Sequence, residues 1–163
     1  MSAPRVIAAV LAGALAAAAG TAAFVQPWEG RELDAYRDVV GVWTICEGIT
    51  GPDVVRGRKA TPTECDALLE TAVARHLTGI AACINVPLKQ NEWVAVGSWA
   101  FNVGVYAACN SGLVRKINAG VPAVTWCRDL LKWDKGRKNG KLVAIRGLTN
   151  RRKAEFKTCI GVG

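Results

Sequence analysis

The sequence predicts an α+β fold that is mainly helical, with one small β-hairpin and an apolar helix at the N-terminus. Three observations carry this prediction. Residues 6–25 are consecutive uncharged positions, residues 41–49 are rich in Val, Trp, Thr and Ile between glycines, and helical periodicity dominates from residue 61 onward. After the apolar start roughly 140 residues remain, which is the usual size of a single domain.

The apolar run is long enough to cross a bilayer as a helix, but its composition makes it a weak anchor. Ten of its residues are Ala and only seven are bulky and apolar. At roughly 0.3 to 0.6 kcal/mol for each bulky residue, insertion is favoured by only about 2 to 4 kcal/mol. Cleavage as a secretory signal is open, because residues such as Ala14 and Ala16 offer small-residue cleavage sites, and so is permanent anchoring.

The elements that follow are predicted in order from their turn, capping and periodicity signals. The 41–49 stretch favours a short hairpin. Thr61 to Glu64 reads as a capping box with proline at the first helical position, which predicts a helix over 61–82. His76 on this helix is interpreted as structural or solvated, because no carboxylate or cysteine partner is indicated.

A buried central helix is expected over 88–104, with Trp93, Val96, Ala100 and Phe101 facing the core. We interpret its aromatic residues, including Trp99, as core packing rather than a sugar-stacking stripe. Shorter helices are predicted at 111–119, ended by Gly120, at 122–133 and at 149–160, and the basic stretch 135–141 is predicted to be a solvated loop.

The charge balance indicates an anionic partner without naming it. The chain carries 21 basic and 13 acidic residues. Wall polymer, lipopolysaccharide and nucleic acid would all fit this balance. The basic residues are spread along the chain and no helix-turn-helix signature stands out, so we do not expect nucleic acid as the main target.

Cysteine usage indicates an exported protein. All six cysteines follow the apolar run, and an even count in an exported chain favours disulfides, although buried free thiols are the alternative. The sequence has no C-x-x-C pair and one histidine, so neither a zinc site nor any other metal or cofactor is expected. The number of possible pairings leaves the connectivity open at this point.

Glu29, Asp38 and Thr44 supply the groups that glycosidic bond cleavage needs. One carboxyl group must donate a proton to the leaving oxygen, a second must activate water, and a hydroxyl can hold that water. Two carboxylates and a hydroxyl in a short stretch are weak evidence alone, because acidic side chains are usually solvated surface.

The residues around these three groups resemble the active-site segment of the phage-type lysozymes, the muramidases with which tailed phages open bacterial walls. Further matching motifs follow in order through nearly all of the chain after residue 24. The matching pieces are Glu29-Gly30, Tyr36-Arg37-Asp38, Gly41, Trp43-Thr44-Ile45, Gly48, Thr50-Gly51, Pro87-Leu88, Asn91, Phe101-Asn102-Val103-Gly104, Asn118, Gly120, Trp133 and Gly147-Leu148-Thr149-Asn150-Arg151-Arg152.

The resemblance implies a lysozyme-like two-lobe fold, with a small β-hairpin lobe and a helical lobe joined by the 61–82 helix. It implies that Glu29, near the end of the first helix of the soluble part, is the general acid. Asp38, at the start of the hairpin, would activate water together with Thr44, with inversion at the anomeric carbon. It also implies that Arg151 pairs with the glutamate. The sequence departs from the family pattern at Ile49, where many relatives have histidine.

The same layout implies a disulfide pairing. Two cysteines would fall in the smaller lobe, two would flank the central helix and two would sit on late helices. The implied pairs are Cys46 with Cys65, Cys83 with Cys109, and Cys127 with Cys159.

The weak apolar helix near the glutamate resembles the signal-anchor-release segment of certain phage endolysins. The resemblance implies a membrane segment over 1–25 and a catalytic domain over 26–163, with residues 6–25 in the host inner membrane before release into the periplasm. Arg5 would move outward against the membrane potential, at about 2.3 kcal/mol per charge for each 100 mV. The membrane segment has no cysteine, which disfavours a thiol-exchange trigger.

The sequence therefore predicts a monomeric endolysin that hydrolyses the β-1,4 bond between N-acetylmuramic acid and N-acetylglucosamine in bacterial peptidoglycan. Two alternatives stay open. A lytic transglycosylase would cut the same polymer with one acid and leave an anhydro sugar. A non-enzymatic secreted basic protein would bind the wall without turnover.

Overall fold

The computed structural model describes residues 3–162 as a mainly helical fold with two small antiparallel sheets, which confirms the predicted α+β class. Residues 1 and 2 of the predicted membrane segment lie outside the described residues. In chain order the elements are α1 (Ala3–Ala16), α2 (Ala18–Val25), a 3-10 helix (Gln26–Trp28), β1 (Glu32–Arg37), β2 (Trp43–Cys46), β3 (Ile49–Thr50), α3 (Pro62–Ala81), α4 (Gln90–Val103), α5 (Val105–Cys109), α6 (Gly112–Asn118), α7 (Ala123–Trp126), a 3-10 helix (Cys127–Lys132), β4 (Lys135–Lys138), β5 (Lys141–Ala144) and α8 (Arg146–Cys159).

The apolar N-terminal run forms two helices rather than one, because the chain bends by 43° between α1 and α2. Among the described residues neither helix alone is long and apolar enough to cross a bilayer, whereas the bent pair together reaches the required length and composition. Both helices pack on α3 and α4, and their inner faces join the main hydrophobic core. The buried members of this face are Val10, Ala14, Ala17, Ala18, Ala22 and Val25.

Small residues allow these helices to approach the core closely. A Cβ placed on Gly13 would lie 2.9 Å from the Trp93 indole nitrogen. A Cβ on Gly97 would lie 2.6 Å from Leu77 Cδ2 and 3.0 Å from Thr21 Cγ2. Because real Cβ contacts are longer than this, glycine is required where α1 and α2 meet α4.

The central core is formed by α3 and α4, close to the predicted bounds. The capping box at Thr61 is present, with Glu64 N donating to Thr61 Oγ1 and Thr61 N donating to the Glu64 carboxylate. Trp93 and Trp99 are fully buried, as expected for core residues. Phe101 is only half-buried and lies 4.8 Å, centroid to centroid, from the ring of His76.

A three-stranded sheet, β1-β2-β3, forms the small lobe (residues 30–60). Strands β2 and β3 are the predicted hairpin, but β1 was not predicted. Five of its six side chains are exposed, so the strand lacks the apolar alternation that marks a half-buried strand. Its inner contact is with a small apolar core that consists of Ile45, Cys46, Val54, Ala60 and Cys65, with Ala35 and Ile49 packed against it.

The later part of the chain departs from the prediction at several places. The helix expected over 122–133 is a single turn of α-helix, α7, that continues as a 3-10 helix. The basic stretch 135–141 was wrongly predicted to be a loop. It forms the hairpin β4–β5, in which Asn139 and Gly140 take the positive φ values of 51° and 76° that a two-residue hairpin turn requires.

The last helix, α8, begins three residues earlier than expected, at Arg146. Thr149, expected near its start, instead donates its hydroxyl hydrogen bond to Asp134 Oδ2 at 3.0 Å. This contact ties the first turn of α8 to the segment before β4.

Disulfides join all six cysteines, in the pairs that the resemblance implies. Cys46–Cys65 links β2 to α3, Cys83–Cys109 links the end of α3 to α5, and Cys127–Cys159 links the segment after α7 to the end of α8. Glu47 lies beside the first pair, but both sulfurs there are bonded to each other and so are not thiolate ligands for a metal.

Candidate active site

Glu29 lies where the N-terminal helices end and the small lobe begins. It follows the 3-10 helix Gln26–Trp28, and its backbone is extended (φ −98°, ψ 143°), which turns the chain toward β1. Its side chain is 26% exposed. It opens on a cavity of about 520 Å³, which is lined by Glu29, Gly30, Glu32, Tyr36, Glu47 and Gly48.

Arg151 of α8 holds the Glu29 carboxylate from the helical lobe. Arg151 Nη1 donates to Glu29 Oε1 at 2.6 Å, and the arginine side chain is only 4% exposed. Its other nitrogens are also engaged, because Nη2 donates to the Ser98 carbonyl at 3.2 Å and Nε to Glu155 Oε1 at 3.3 Å. The fold therefore brings together the two residues that the resemblance pairs.

Asp38 lies in the turn between β1 and β2. It follows the unpredicted strand β1 and precedes the predicted hairpin β2–β3, as expected for the start of that hairpin. Its Oδ1 accepts hydrogen bonds from the backbone N–H groups of Val40 (3.0 Å) and Val42 (2.8 Å). Both bonds orient the carboxylate over the turn.

Thr44 is buried on β2 and is connected to Asp38 through the backbone of one residue, Val42. The Val42 carbonyl accepts both the Thr44 hydroxyl (3.1 Å) and the Asp38 N–H (3.0 Å), while the Val42 N–H donates to Asp38 Oδ1. Because its proton is used in this way, the Thr44 oxygen is left as an acceptor. Thr44 also pairs with Tyr36, which lines the Glu29 cavity.

The structure thus forms two pairs, Glu29 with Arg151 and Asp38 with Thr44. Among the described residues no hydrogen bond joins the two pairs, and Asp38 and Thr44 do not line the cavity beside Glu29. What connects them is the small lobe, in which Tyr36 contacts both the cavity and the Thr44 position. A substrate must lie between the two pairs if they are to act on one bond.

A second ion-pair group near Glu29 was not predicted. Arg31 donates through Nε to the buried Glu47 carboxylate and through Nη2 to Asp66 Oδ1 of α3, at 2.7 Å. The hydrogen bonds raise the pKa of Arg31. Glu47 directly precedes Gly48 at the β2–β3 turn, and its acidity was the only sequence signal that could have marked it. This group fixes the segment after Glu29 to both lobes.

Ser98 and Glu155 were also missed, although they surround Arg151. Glu155 has a fully buried side chain, and burial raises the pKa of its carboxyl group. Burial likewise lowers the pKa of Arg152, whose Nε lies 3.2 Å from Glu155 Oε2. The available signal in the sequence was the spacing of these charges. Glu155 follows Arg151 by four residues and Arg152 by three, which places oppositely charged side chains next to each other on a helix.

Ile49, which occupies the position where the family resemblance implies histidine, packs against the small-lobe core beside Ile45 and Cys46. The position therefore contributes apolar contact rather than a hydrogen bond. Its substitution leaves the Asp38–Thr44 pair intact.

A sheet lobe and a helical lobe, with the Glu29 carboxylate held between them by Arg151, are the features of a glycoside hydrolase of the lysozyme type. Comparison with known proteins agrees with this class. The chain belongs to the phage lysozyme family, whose model matches residues 26–155.

Individual relatives extend the similarity beyond the matched region. The chain is 38% identical over 145 residues to the SAR-endolysin of Pseudomonas phage phiKMV, covering 89% of each protein. Its fold is similar to the endolysin from Escherichia coli O157:H7 phage FAHEc1 (TM-score 0.76, 31% identity, 86% of this chain and 90% of that one). It is also similar to the muramidase domain of SpmX from Asticcaccaulis excentricus (TM-score 0.79, 25% identity, 86% and 95% covered).

Proposed function

We propose that this protein is an endolysin that degrades bacterial peptidoglycan as a muramidase, cleaving the β-1,4 bond that follows N-acetylmuramic acid. Family membership and the SAR-endolysin and muramidase relatives support the activity. The observation that carries the proposal is the placement of Glu29, which Arg151 holds at the junction of the lobes, beside a sheet that presents Asp38 and Thr44.

Glu29 is the general acid in this mechanism. Its proton goes to the glycosidic oxygen as the bond to the anomeric carbon breaks, and positive charge develops on the sugar ring. Arg151 keeps the carboxyl group at the base of the cavity, because three of its nitrogens are held by Glu29, Ser98 and Glu155.

Asp38 and Thr44 supply the water that completes the reaction. Two backbone N–H groups orient the Asp38 carboxylate, which can accept a proton from water, and the Thr44 oxygen can accept the second hydrogen bond of that water. Attack from the face opposite the leaving oxygen inverts the anomeric carbon, whereas a covalent intermediate would retain it.

The position of the N-terminal segment determines whether the enzyme is in the host inner membrane or in the periplasm. In the described fold the inner faces of α1 and α2 are buried in the core. The same apolar atoms cannot contact lipid and this core together, so residues 6–25 occupy either the host inner membrane or the folded domain. The described fold is then the released form in the periplasm, and it acts as a monomer on peptidoglycan without nucleic acid.

Tethering also explains why the membrane form would be inactive. Glu29 is only four residues beyond Val25, the last residue of α2. With α2 in lipid, Glu29 is confined to the membrane surface and cannot take its place beside Arg151 on α8. Release lets the helices pack on α3 and α4 and completes the site.

The proposal is tested with purified full-length protein on isolated sacculi. Glu29→Gln removes the proton but keeps the size of the side chain, so solubilisation should fall at least a hundredfold. Glu70→Gln makes the same change on an exposed face of α3 and should leave the rate unchanged. Equal rates for the two variants would overturn the assignment, and a tethered form as fast as the released form would overturn the account of activation.

A further inference from the structure

Arg151 is shared between two carboxylates that differ in their surroundings. Glu29, on the cavity side, is 26% exposed, whereas the side chain of Glu155 on the opposite side is fully buried. The guanidinium lies between them, with Nη1 on Glu29 at 2.6 Å and Nε on Glu155 at 3.3 Å. The direction in which Arg151 points therefore depends on Glu155 as well as on Glu29.

Both carboxylate oxygens of Glu155 have a polar neighbour. The Ser98 hydroxyl of α4 donates to Glu155 Oε1 at 2.7 Å, and Arg152 contacts Oε2 at 3.2 Å. Arg152 is fully buried and donates through Nη2 to Asn102 Oδ1, also on α4, at 2.8 Å. These contacts fix one carboxylate between two arginines in the interface of α4 with α8.

We propose that Glu155 is a positioning residue of the reaction, which aims Arg151 at Glu29 and offsets part of its positive charge. The inference rests on the proposed role of Glu29 as the acid. A general acid must be protonated, and an uncompensated arginine beside it would favour the ionised form. Glu155 supplies negative charge to the same guanidinium and so offsets part of the positive field that Arg151 places on Glu29.

The groups that face this network are few among the described residues. Arg151 and Arg152 face Glu155 from α8, and Ser98 and Asn102 are the polar groups on α4. The titratable side chains of Glu32, Tyr36 and Glu47 also line the cavity beside Glu29, and Glu47 is paired with Arg31. Burial raises the pKa of Glu155, so its charge, and with it the compensation, is lost as the solution becomes acidic.

The test is the pH profile of kcat/KM on sacculi for Glu155→Gln and Glu155→Asp in the full-length protein. Glu155→Gln leaves the positive charge of Arg151 without its buried compensating carboxylate. The alkaline limb of the pH profile should therefore move to lower pH by roughly one unit, which is a tenfold loss of kcat/KM on that side. The acid side should lose much less. Glu155→Asp keeps the charge and should keep the limb in place, and Glu70→Gln is the control for removal of a distant carboxylate.

A purely structural role would lower activity by one factor at every pH, and that result would overturn the proposal. Should Glu155→Gln fail to fold, Ser98→Ala removes the hydroxyl that donates to Glu155 and accepts from Arg151 Nη2 at 3.4 Å, while the shorter contact of Nη2 to the Ser98 carbonyl remains. On the alkaline side of the pH profile, Ser98→Ala should lower kcat/KM by about threefold, in the same direction as Glu155→Gln. An alkaline limb that stays in place in this variant also overturns the proposal. An active Glu29→Gln enzyme would instead refute the proposed function itself.

Discussion

At the scale of single residues, the site depends on charged side chains that are held at both ends. Arg151 is held by Ser98 and Glu155 on one side and meets Glu29 on the other, and Arg31 is held between Glu47 and Asp66. Both arginines join the segment around Glu29 to distant elements. The position of the acid is therefore set by ion pairs as much as by backbone.

Variants of Arg31 and Glu47 measure how much their ion pair contributes to the stability of the fold. Arg31→Met should destabilise the fold by about 1 to 3 kcal/mol, because the Glu47 carboxylate is left buried without its partner. Glu47→Gln in the same chain should recover part of the loss, since the uncompensated charge is then gone. Denaturant unfolding of the two single variants and the double variant measures this coupling. Strict additivity would show that the pair does not interact.

The sequence indicated candidate residues of the site but not their environment. Glu29, Asp38, Thr44 and Arg151 were identified through ordered motifs, and the structure forms two pairs from them. Glu47 and Glu155 were missed because an isolated acidic residue carries no sign of burial. Burial of a charge depends on contacts between elements that are far apart in sequence, such as Ser98 with Glu155.

At the scale of elements, prediction succeeded where local signals agree with the tertiary contacts. The capping box fixed the start of α3, and helical periodicity fixed α4 within two residues. Strand β1 was missed because its side chains are mostly exposed, and it is held by pairing with β2 and with residues 58–60. The β4–β5 hairpin had a readable Asn-Gly turn signal, but the density of basic residues obscured it.

A substitution in α4, where it contacts α2, tests the packing of the N-terminal segment without altering that segment. Gly97→Ala places a methyl group within 3.0 Å of both Leu77 and Thr21, which are fully buried. We expect a loss of about 1 to 3 kcal/mol in unfolding free energy and a slower gain of activity after release. Gly147→Ala, where nothing lies within 4 Å, is the matched control. A neutral Gly97→Ala would refute close packing of α2 on α4.

At the scale of the whole molecule, the N-terminal segment is part of the core and not an appendage. Its inner face covers α3 and α4, including Leu77 and Trp93. The division into 1–25 and 26–163 remains a prediction for the membrane form. In the released form the two stretches share one core, so export, refolding and catalysis are coupled through the same apolar surface.

Truncation measures that coupling. A fragment of residues 26–163 exposes the apolar surface that α1 and α2 cover, so it should lose cooperative thermal unfolding and most wall-degrading activity. Removal of residues 1–5 deletes only Pro4 and Arg5 among the residues whose exposure is described, and both are exposed. That shorter deletion should therefore keep stability and activity. A 26–163 fragment as stable as the full chain would refute the shared core.

The most direct measurement is the chemical form of the sugar released from purified sacculi. Water activated by Asp38 and Thr44 should give N-acetylmuramic acid with a free reducing end, formed first as the α-anomer by inversion, and Glu29→Gln should abolish the product. An anhydro sugar, or release that persists at full rate without the Glu29 carboxyl group, would contradict the account.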